Sequence, residues 1–380
     1  MPKKTIIFIV LLFVFFGILP SYDVSIRTGR TLIAEWAVIA LCALFFLKNN
    51  WIKAFLIWAL VRSIMGWNKY SFLTLHTIFV YLVFYQVMIN EIKEEYIDYI
   101  LNCICVLALI NFTLMILQYY GTWVVLVPKG EFQTYFTLLN GWIVFTPQKI
   151  YPVLGFLSNI NMTSAFMAIC LPAFFRKRWI FAIPLIIVSL LLAKSLSGLI
   201  PAFIAICLYI VIKCRKYRLF IVGGLSIAFV AYLFKTESTA ILSLSCGGRL
   251  AIYKAIAKYI IPIRPIVGWG VGQFKYLFPI ICKNAIPDPI PGVNVLQAHN
   301  DFLQLWVEMG VIGFTLVCGY LFSLFRKAWR MKDYILLLGI LIITINANFN
   351  FLLHTTGGVL FLVYAVLIEK KYEDQKRRIL

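Results

Sequence analysis

The chain has 380 residues, of which 62% are hydrophobic and 13% charged. That composition, with a mean hydropathy of +0.92, excludes a soluble globular domain, in which roughly a quarter of the residues are charged. The formal net charge of +20 therefore does not point to nucleic acid. In so apolar a chain it reports membrane topology and contact with anionic lipid headgroups.

Continuous apolar runs lie near 5–20, 31–47, 51–66, 72–89, 98–117, 153–175, 179–194, 198–212, 219–234, 305–325, 334–349 and 357–368. A helix crosses a bilayer with roughly 20 residues, so these runs predict an all-α polytopic membrane protein of about 12 transmembrane helices. The shorter runs require tilt or local thinning of the bilayer. Spanning strands are excluded, because they alternate in polarity and an open sheet edge is unsatisfied in lipid. The run after "MPKK" leads into "GILPSYDVS", which lacks the small-residue cleavage pattern of a signal peptide; it is expected to remain as an anchor.

Placing both termini in the cytoplasm puts "LKNNWIK", "NEIKEEY", "RKRW", "KCRKYR", "RKAWRMK" and the tail from Lys370 inside, and with them most of the 35 Lys and Arg residues. This satisfies the positive-inside bias. The result is a single integral membrane domain over 1–380, with two long outer loops. The first, 118–152, is rich in aromatics and prolines and suits the membrane interface. The second, 235–304, is long enough to be read as functional.

This second loop carries Lys235, Arg249, Lys254, Lys258, Arg264, Lys275 and Lys283 against Glu237, Asp288 and Asp301. The excess of cations suggests an anionic partner outside the membrane, although long loops also escape the charge rule. "GGRLAIYKAIAKYIIP" predicts a short amphipathic helix stopped by Pro262 and suited to the membrane surface. Arg249 in its first turn can offer a planar fork of donors to a phosphate. Lys254 and Lys258 are either phosphate contacts or solvated charges. "PIVGWGVGQF" superficially resembles a nucleotide loop but has no preceding strand. Its glycines, Gly270 among them, predict a tight turn or close backbone approach to a ligand.

"QAHNDFLQLWVEMG" predicts a helix capped by Asn300 or Asp301. His299 just before it is either a loop residue or a proton acceptor, kept neutral by the positive helix end. Glu308, two turns deeper, is a functional candidate or the partner of a basic residue. Arg62 lies near the outer end of its span and either snorkels to the interface or touches a lipid-borne donor. His76 and His354 also fall near outer span ends, without metal-site spacing. Most of the nine cysteines pack as small hydrophobes, while Cys246 and Cys282 share the outer loop and are candidates to pair.

In order, "GFLSNINMTSAFMAICLP", "GGRLAIY", "PIVGWGVGQF" and "AHNDFLQLWVEMGVIGF" resemble the O-antigen ligase family, which includes O-antigen and exopolysaccharide polymerases. The resemblance covers about 150–330, and before that only the pattern of spans. It implies a GT-C-like architecture in the broad sense, at the bacterial cell inner membrane. It also implies metal-independent, inverting glycosyl transfer on the outer face, from an undecaprenyl-pyrophosphate-linked glycan donor to a lipid A core or glycan acceptor. No cofactor or nucleic acid is implied. By that resemblance Arg249 holds the pyrophosphate and His299 activates the acceptor hydroxyl, with Lys254, Asn300, Asp301, Gly270 and Arg62 as candidate substrate contacts. The family often has an arginine in a short turn where this chain reads "AKSLSGLI". Leu196 stands there, and Lys194 is the candidate to supply the charge.

Fixed cations stabilise the negative charge that develops on a leaving phosphate, and a neutral imidazole can take the proton of an attacking hydroxyl. The chain has no Asp-x-Asp pair. Polymerase remains the alternative to ligase, since the two differ only in acceptor. A lipid-linked glycan flippase is the alternative outside enzymes, a class marked by internal repeats and broken helices.

Overall fold

The computed structural model describes residues 49–65, 69–120, 125–126, 138–139, 143–144, 155–157, 159–214, 216–235, 249–282, 295, 297–350 and 356–379. The expected spans at 5–20 and 31–47 lie outside the described residues, as do Cys246, His354, most of 118–152 and the side chain of His76.

The described chain is essentially helical. α1 (Asn50–Met65), α2 (Lys69–Glu91), α3 (Ile97–Tyr119), α4 (Ile160–Phe174), α5 (Ile183–Ala193), α6 (Leu196–Lys213) and α7 (Arg218–Lys235) precede the long loop. Within the loop lie α8 (residues 249–255) and α9 (Phe274–Ile281), and after it α10 (Asp301–Arg330), α11 (Tyr334–Ala347) and α12 (Thr356–Ile379). Each run expected to span from 51–66 onward falls on a helix. By length and composition Glu94–Tyr119, Leu196–Lys213 and Asp301–Arg330 can cross a membrane, and Ile160–Phe174, Ile180–Ala193 and Tyr334–Ala347 are shorter apolar helices. The expectation of an all-α chain needs one small amendment. Three two-residue strands, β1 (Val125–Leu126), β2 (Leu138–Leu139) and β3 (Ile143–Val144), pair antiparallel with β3 central, Val144 facing Val125 and Leu138.

Helix α4 is the centre of the bundle. Every residue from Met162 to Phe174 is buried, the signature of a helix enclosed on all sides. Its partner α6 approaches closely because Gly198 has no side chain: a Cβ there would lie 2.2 Å from the Ser164 carbonyl oxygen. Small residues at such crossings let helix backbones meet where lipid gives no hydrophobic drive. Residues 357–369 of α12 form a second enclosed stretch apart from the half-buried Phe361. By contrast α7 leaves Leu219, Phe220 and Ile227 exposed, a lipid-facing composition.

Polar contacts sort the loops to two ends. At one, Glu369 of α12 accepts from Asn49 Nδ2 at 2.8 Å, from the Tyr85 hydroxyl at 2.8 Å and from Lys327 Nζ at 3.3 Å. Asp98 with Arg176, Asp333 with Lys371 and Glu94 with Arg378 join the same end, so the segments expected inside are gathered together. At the other, Arg62 reaches Gly268, Gln273 reaches Ser71, and Gln118 brackets the N–H and carbonyl of Gly155. Among the described residues Cys282 is a buried free thiol, and its candidate partner Cys246 lies outside them.

Candidate active site

Helix α8 is described from Arg249 and loosens into a π turn over Ile256–Ile260, then a 3-10 turn over Ile261–Ile263. Pro262, which has no N–H and crowds the preceding turn, accounts for the change of pitch. The apolar stripe Ile252, Ala255, Ile256 and Ile260 is buried against Phe274, Phe278, Ala298 and Val307. The face assigned from sequence to the membrane surface thus packs on protein, and α8 is a wall of the site. Lys254 and Lys258 are exposed, the latter with its ammonium 5.1 Å from the Tyr259 ring centroid.

His299 is a non-glycine residue in the left-handed region, at φ 53. Such a conformation costs about 1–3 kcal/mol and persists only where neighbours impose it. The Tyr253 hydroxyl of α8 donates to the His299 carbonyl at 2.7 Å. Asn300 caps α10 by accepting the Leu303 N–H at 2.9 Å, which settles the choice of cap, and Asp301 is buried in the first turn. Burial, and then the nearby positive charge of Arg249, push the imidazole down to about 4. It is therefore neutral at pH 7, as expected, with desolvation the larger cause and the guanidinium the second. The structure brings Arg249 and His299 together.

The glycine loop packs its backbone on α10. Gly310 interrupts α10 at φ 66, ψ −172, freeing backbone groups on both sides. Residues 265–270 satisfy them. Trp269 and Gly270 donate to the Val307 and Glu308 carbonyls at 2.9 and 2.8 Å, while the Pro265 and Ile266 carbonyls accept from Val311 and Ile312 at 2.9 and 3.4 Å. Gly270 thus has its N–H bonded within the scaffold. Arg62 is 2% exposed and donates from Nη2 to the Gly268 carbonyl at 2.7 Å; it does not snorkel, because the loop folds over it. The helix break is a feature a transporter would also show, but here paired backbone from one loop fills it.

Asp301, Gln304 and Glu308 share one face of α10 and line a cavity of about 190 Å³ with Tyr81, Phe55 and Tyr320. Its walls are mostly apolar, and its polar end lies two residues from His299. Glu308 accepts the Gly272 N–H at 2.7 Å and the Gln304 amide at 3.2 Å, and the Lys275 ammonium is the basic neighbour whose charge reaches it.

Residues 164–318, from within α4 to the middle of α10, match the family model described as O-antigen ligase. Over this stretch the chain is similar to the O-antigen ligase family. No curated protein matches it. The matched stretch contains Lys194, Arg249, Tyr253, Gly270, His299 and Glu308, and it supports O-antigen ligase or polymerase-type function in a membrane protein.

Within the stretch that matches the O-antigen ligase family, Lys194 is the exposed left-handed C-cap of α5, at φ 50. Beside it Ser195 donates to Asn161 at 2.7 Å and pairs with Ser197 at 2.8 Å. This cluster sits where α4 and α6 begin, and both helices pack on α11. The turn after α11 returns to the site through the Asn348 carbonyl, 3.2 Å from the Tyr253 hydroxyl. Tyr253 and Gln304 were missed as site residues. Their signals were present: Tyr253 shares a stripe with Arg249, and Gln304 sits between two acids on one face of an apolar helix.

Proposed function

We propose that the chain is an O-antigen ligase-type glycosyltransferase. It moves a glycan from an undecaprenyl-pyrophosphate carrier to a lipid A core hydroxyl on the outer face of the bacterial inner membrane, with both termini cytoplasmic. Arg249 holds the diphosphate. His299 takes the proton of the acceptor hydroxyl while that oxygen attacks the anomeric carbon opposite the diphosphate. The sugar–phosphate C–O bond breaks, its electron pair leaves on undecaprenyl diphosphate, and the configuration inverts.

The observation that carries the reading is that the helix bearing Arg249 is fastened to the His299 turn, through the Tyr253 hydroxyl at 2.7 Å from the His299 carbonyl. With the guanidinium bare, the imidazole is a weak base. A diphosphate seated on Arg249 offsets that charge, so basicity rises once the donor is bound. The apolar cavity beside Asp301 suits the lipid portion of a substrate, and Lys254, Asn300 and Lys194 remain candidate contacts to the glycan or phosphates.

The test is transfer by purified protein in detergent, with lipid-linked glycan and lipid A core, where no second compartment exists for a flippase. Arg249→Ala should lower the rate about 10²–10³-fold, and His299→Ala about 10²–10⁴-fold. Arg249→Lys should also fail, since an ammonium cannot make a forked contact. Near-normal transfer by any of these overturns the assignment. Lipopolysaccharide banding of a deletion strain separates the acceptors: loss of all capping means ligase, whereas single-repeat capping means polymerase.

A further inference from the structure

Glu308 and Gln304 are 5% and 3% exposed and take no part in the chemistry above. Their hydrogen bonds nevertheless lead to it. Glu308 Oε2 accepts the Gly272 N–H at 2.7 Å, and Oε1 accepts Gln304 Nε2 at 3.2 Å. Gln304 Oε1 accepts the N–H of Ala298 at 3.1 Å. Because Ala298 offers a donor, the amide orientation is fixed, oxygen toward 298 and nitrogen toward 308. We propose that Gln304 and Glu308 are positioning residues, a directional relay from the glycine loop to Ala298 that holds the His299 turn in its reactive conformation. This rests on the reading of His299 as the proton acceptor.

The geometry gives the relay a purpose beyond capping α10. The helix end is served by Asn300, which takes the Leu303 N–H. What remains is the left-handed residue His299, whose backbone must be held on both flanks. Tyr253 holds its carbonyl at 2.7 Å, and Gln304 holds the preceding N–H. Ala298 is fully buried, so that N–H has no water to turn to. Glu308 fixes the amide and ties the turn to Gly272, in the loop that also clasps the break at Gly310. The hydrogen bonds to the carboxylate come from neutral donors, the Gly272 N–H and the Gln304 amide, which gives it a place in the scaffold of the turn.

Directionality provides the test. Gln304→Glu sets two carboxylates against each other, and Glu308→Gln turns an amide nitrogen toward a donor. Combined, the two exchanges restore every bond: the new carboxylate at 304 accepts from Ala298 and from the new amide at 308, whose oxygen takes Gly272. The full-length protein is assayed in detergent with undecaprenyl-diphosphate-linked glycan and lipid A core, kcat and KM being measured per folded protein. Each single exchange should lower kcat about 10–100-fold, the scale of a small misplacement of a reacting group, with KM changed less than about twofold. The double exchange should recover most of the loss. Wild-type kcat in both singles, or a double exchange that misfolds or transfers no better than the worse single, overturns the proposal. His299→Ala in the same assay separates the failures. Retained activity there sinks the site reading itself, whereas loss there with normal single exchanges sinks only the relay.

Discussion

The Tyr253 hydroxyl donates to the His299 carbonyl at 2.7 Å and lies 3.2 Å from the Asn348 carbonyl. It thus joins three segments far apart in sequence: α8, the turn before α10 and the end of α11. Arg249 stands one turn earlier on α8, so the same helix that fastens the histidine backbone carries the cation whose charge reaches the imidazole. Tyr253→Phe keeps the ring in its apolar cluster and removes only the O–H. The expected cost is about 0.5–1.5 kcal/mol of stability and a drop of roughly tenfold in kcat from a loosened turn. Thermal melts and transfer rates in detergent check both; an unchanged kcat would show that the turn holds without this bond.

Acid should act on the protein through His299. Its imidazole is pushed from the ordinary 6.5 down to about 4 by burial and then by Arg249, so the unfolded chain binds a proton more readily than the folded one between these values. Stability therefore falls as pH drops from about 6.5 toward 4, because the linkage slope follows the excess of protons on the unfolded state. Melting temperatures across that range should decline in the wild type and decline less in His299→Gln. Equal slopes would mean that other groups dominate. In kcat/KM, which reports the free enzyme, the acid limb belongs near the depressed value rather than near 6.5.

Much of this was legible in sequence, for identifiable reasons. Continuous apolar runs give helices because lipid leaves no other local choice, and each expected run among the described residues is helical. The helical spacing after residue 301 narrowed the cap to Asn300 or Asp301, and the order of the motifs singled out Arg249 and His299. Long-range backbone pairing was not legible. Nothing local in "PIVGWGVGQF" says that its amides close a gap at Gly310, some forty residues on, because no side-chain type marks a carbonyl that lacks a partner. Arg62 was misread for the same reason. Its position near a span end suggested the interface, and only the fold shows the loop lying over it.

Arg62 gives a discriminating case. As a prop for the Gly268 carbonyl, a charged hydrogen bond 2.7 Å long with the side chain 2% exposed, its removal should lower stability by about 1.5–3 kcal/mol. Arg62→Ala should therefore melt earlier, while the folded fraction keeps its donor KM within about twofold. A tenfold rise in donor KM with an unchanged melt would instead make it a phosphate contact.

Glycines that touch backbone should differ sharply from those that touch nothing. At Gly310, a Cβ would lie 2.1 Å from the Ile266 carbonyl oxygen, and at Gly268 it would lie 2.4 Å from the Gly310 nitrogen, both at positive φ. The Ile266 carbonyl also accepts from Ile312, and the neighbouring Pro265 carbonyl accepts from Val311, so relief by loop movement breaks the bonds that close the helix gap. Gly310→Ala should cost at least the roughly 1–3 kcal/mol of a forced left-handed residue, with the overlap added, and leave little folded protein. Gly223 and Gly224 in α7 have nothing within 4 Å of an added Cβ. Gly223→Ala should therefore stabilise the helix by roughly 0.5–1 kcal/mol. Size-exclusion yield and melting temperature in detergent read both. If Gly310→Ala folded as well as Gly223→Ala, the loop would not be clasping α10, and the route from Glu308 through Gln304 to the His299 turn would lose its anchor.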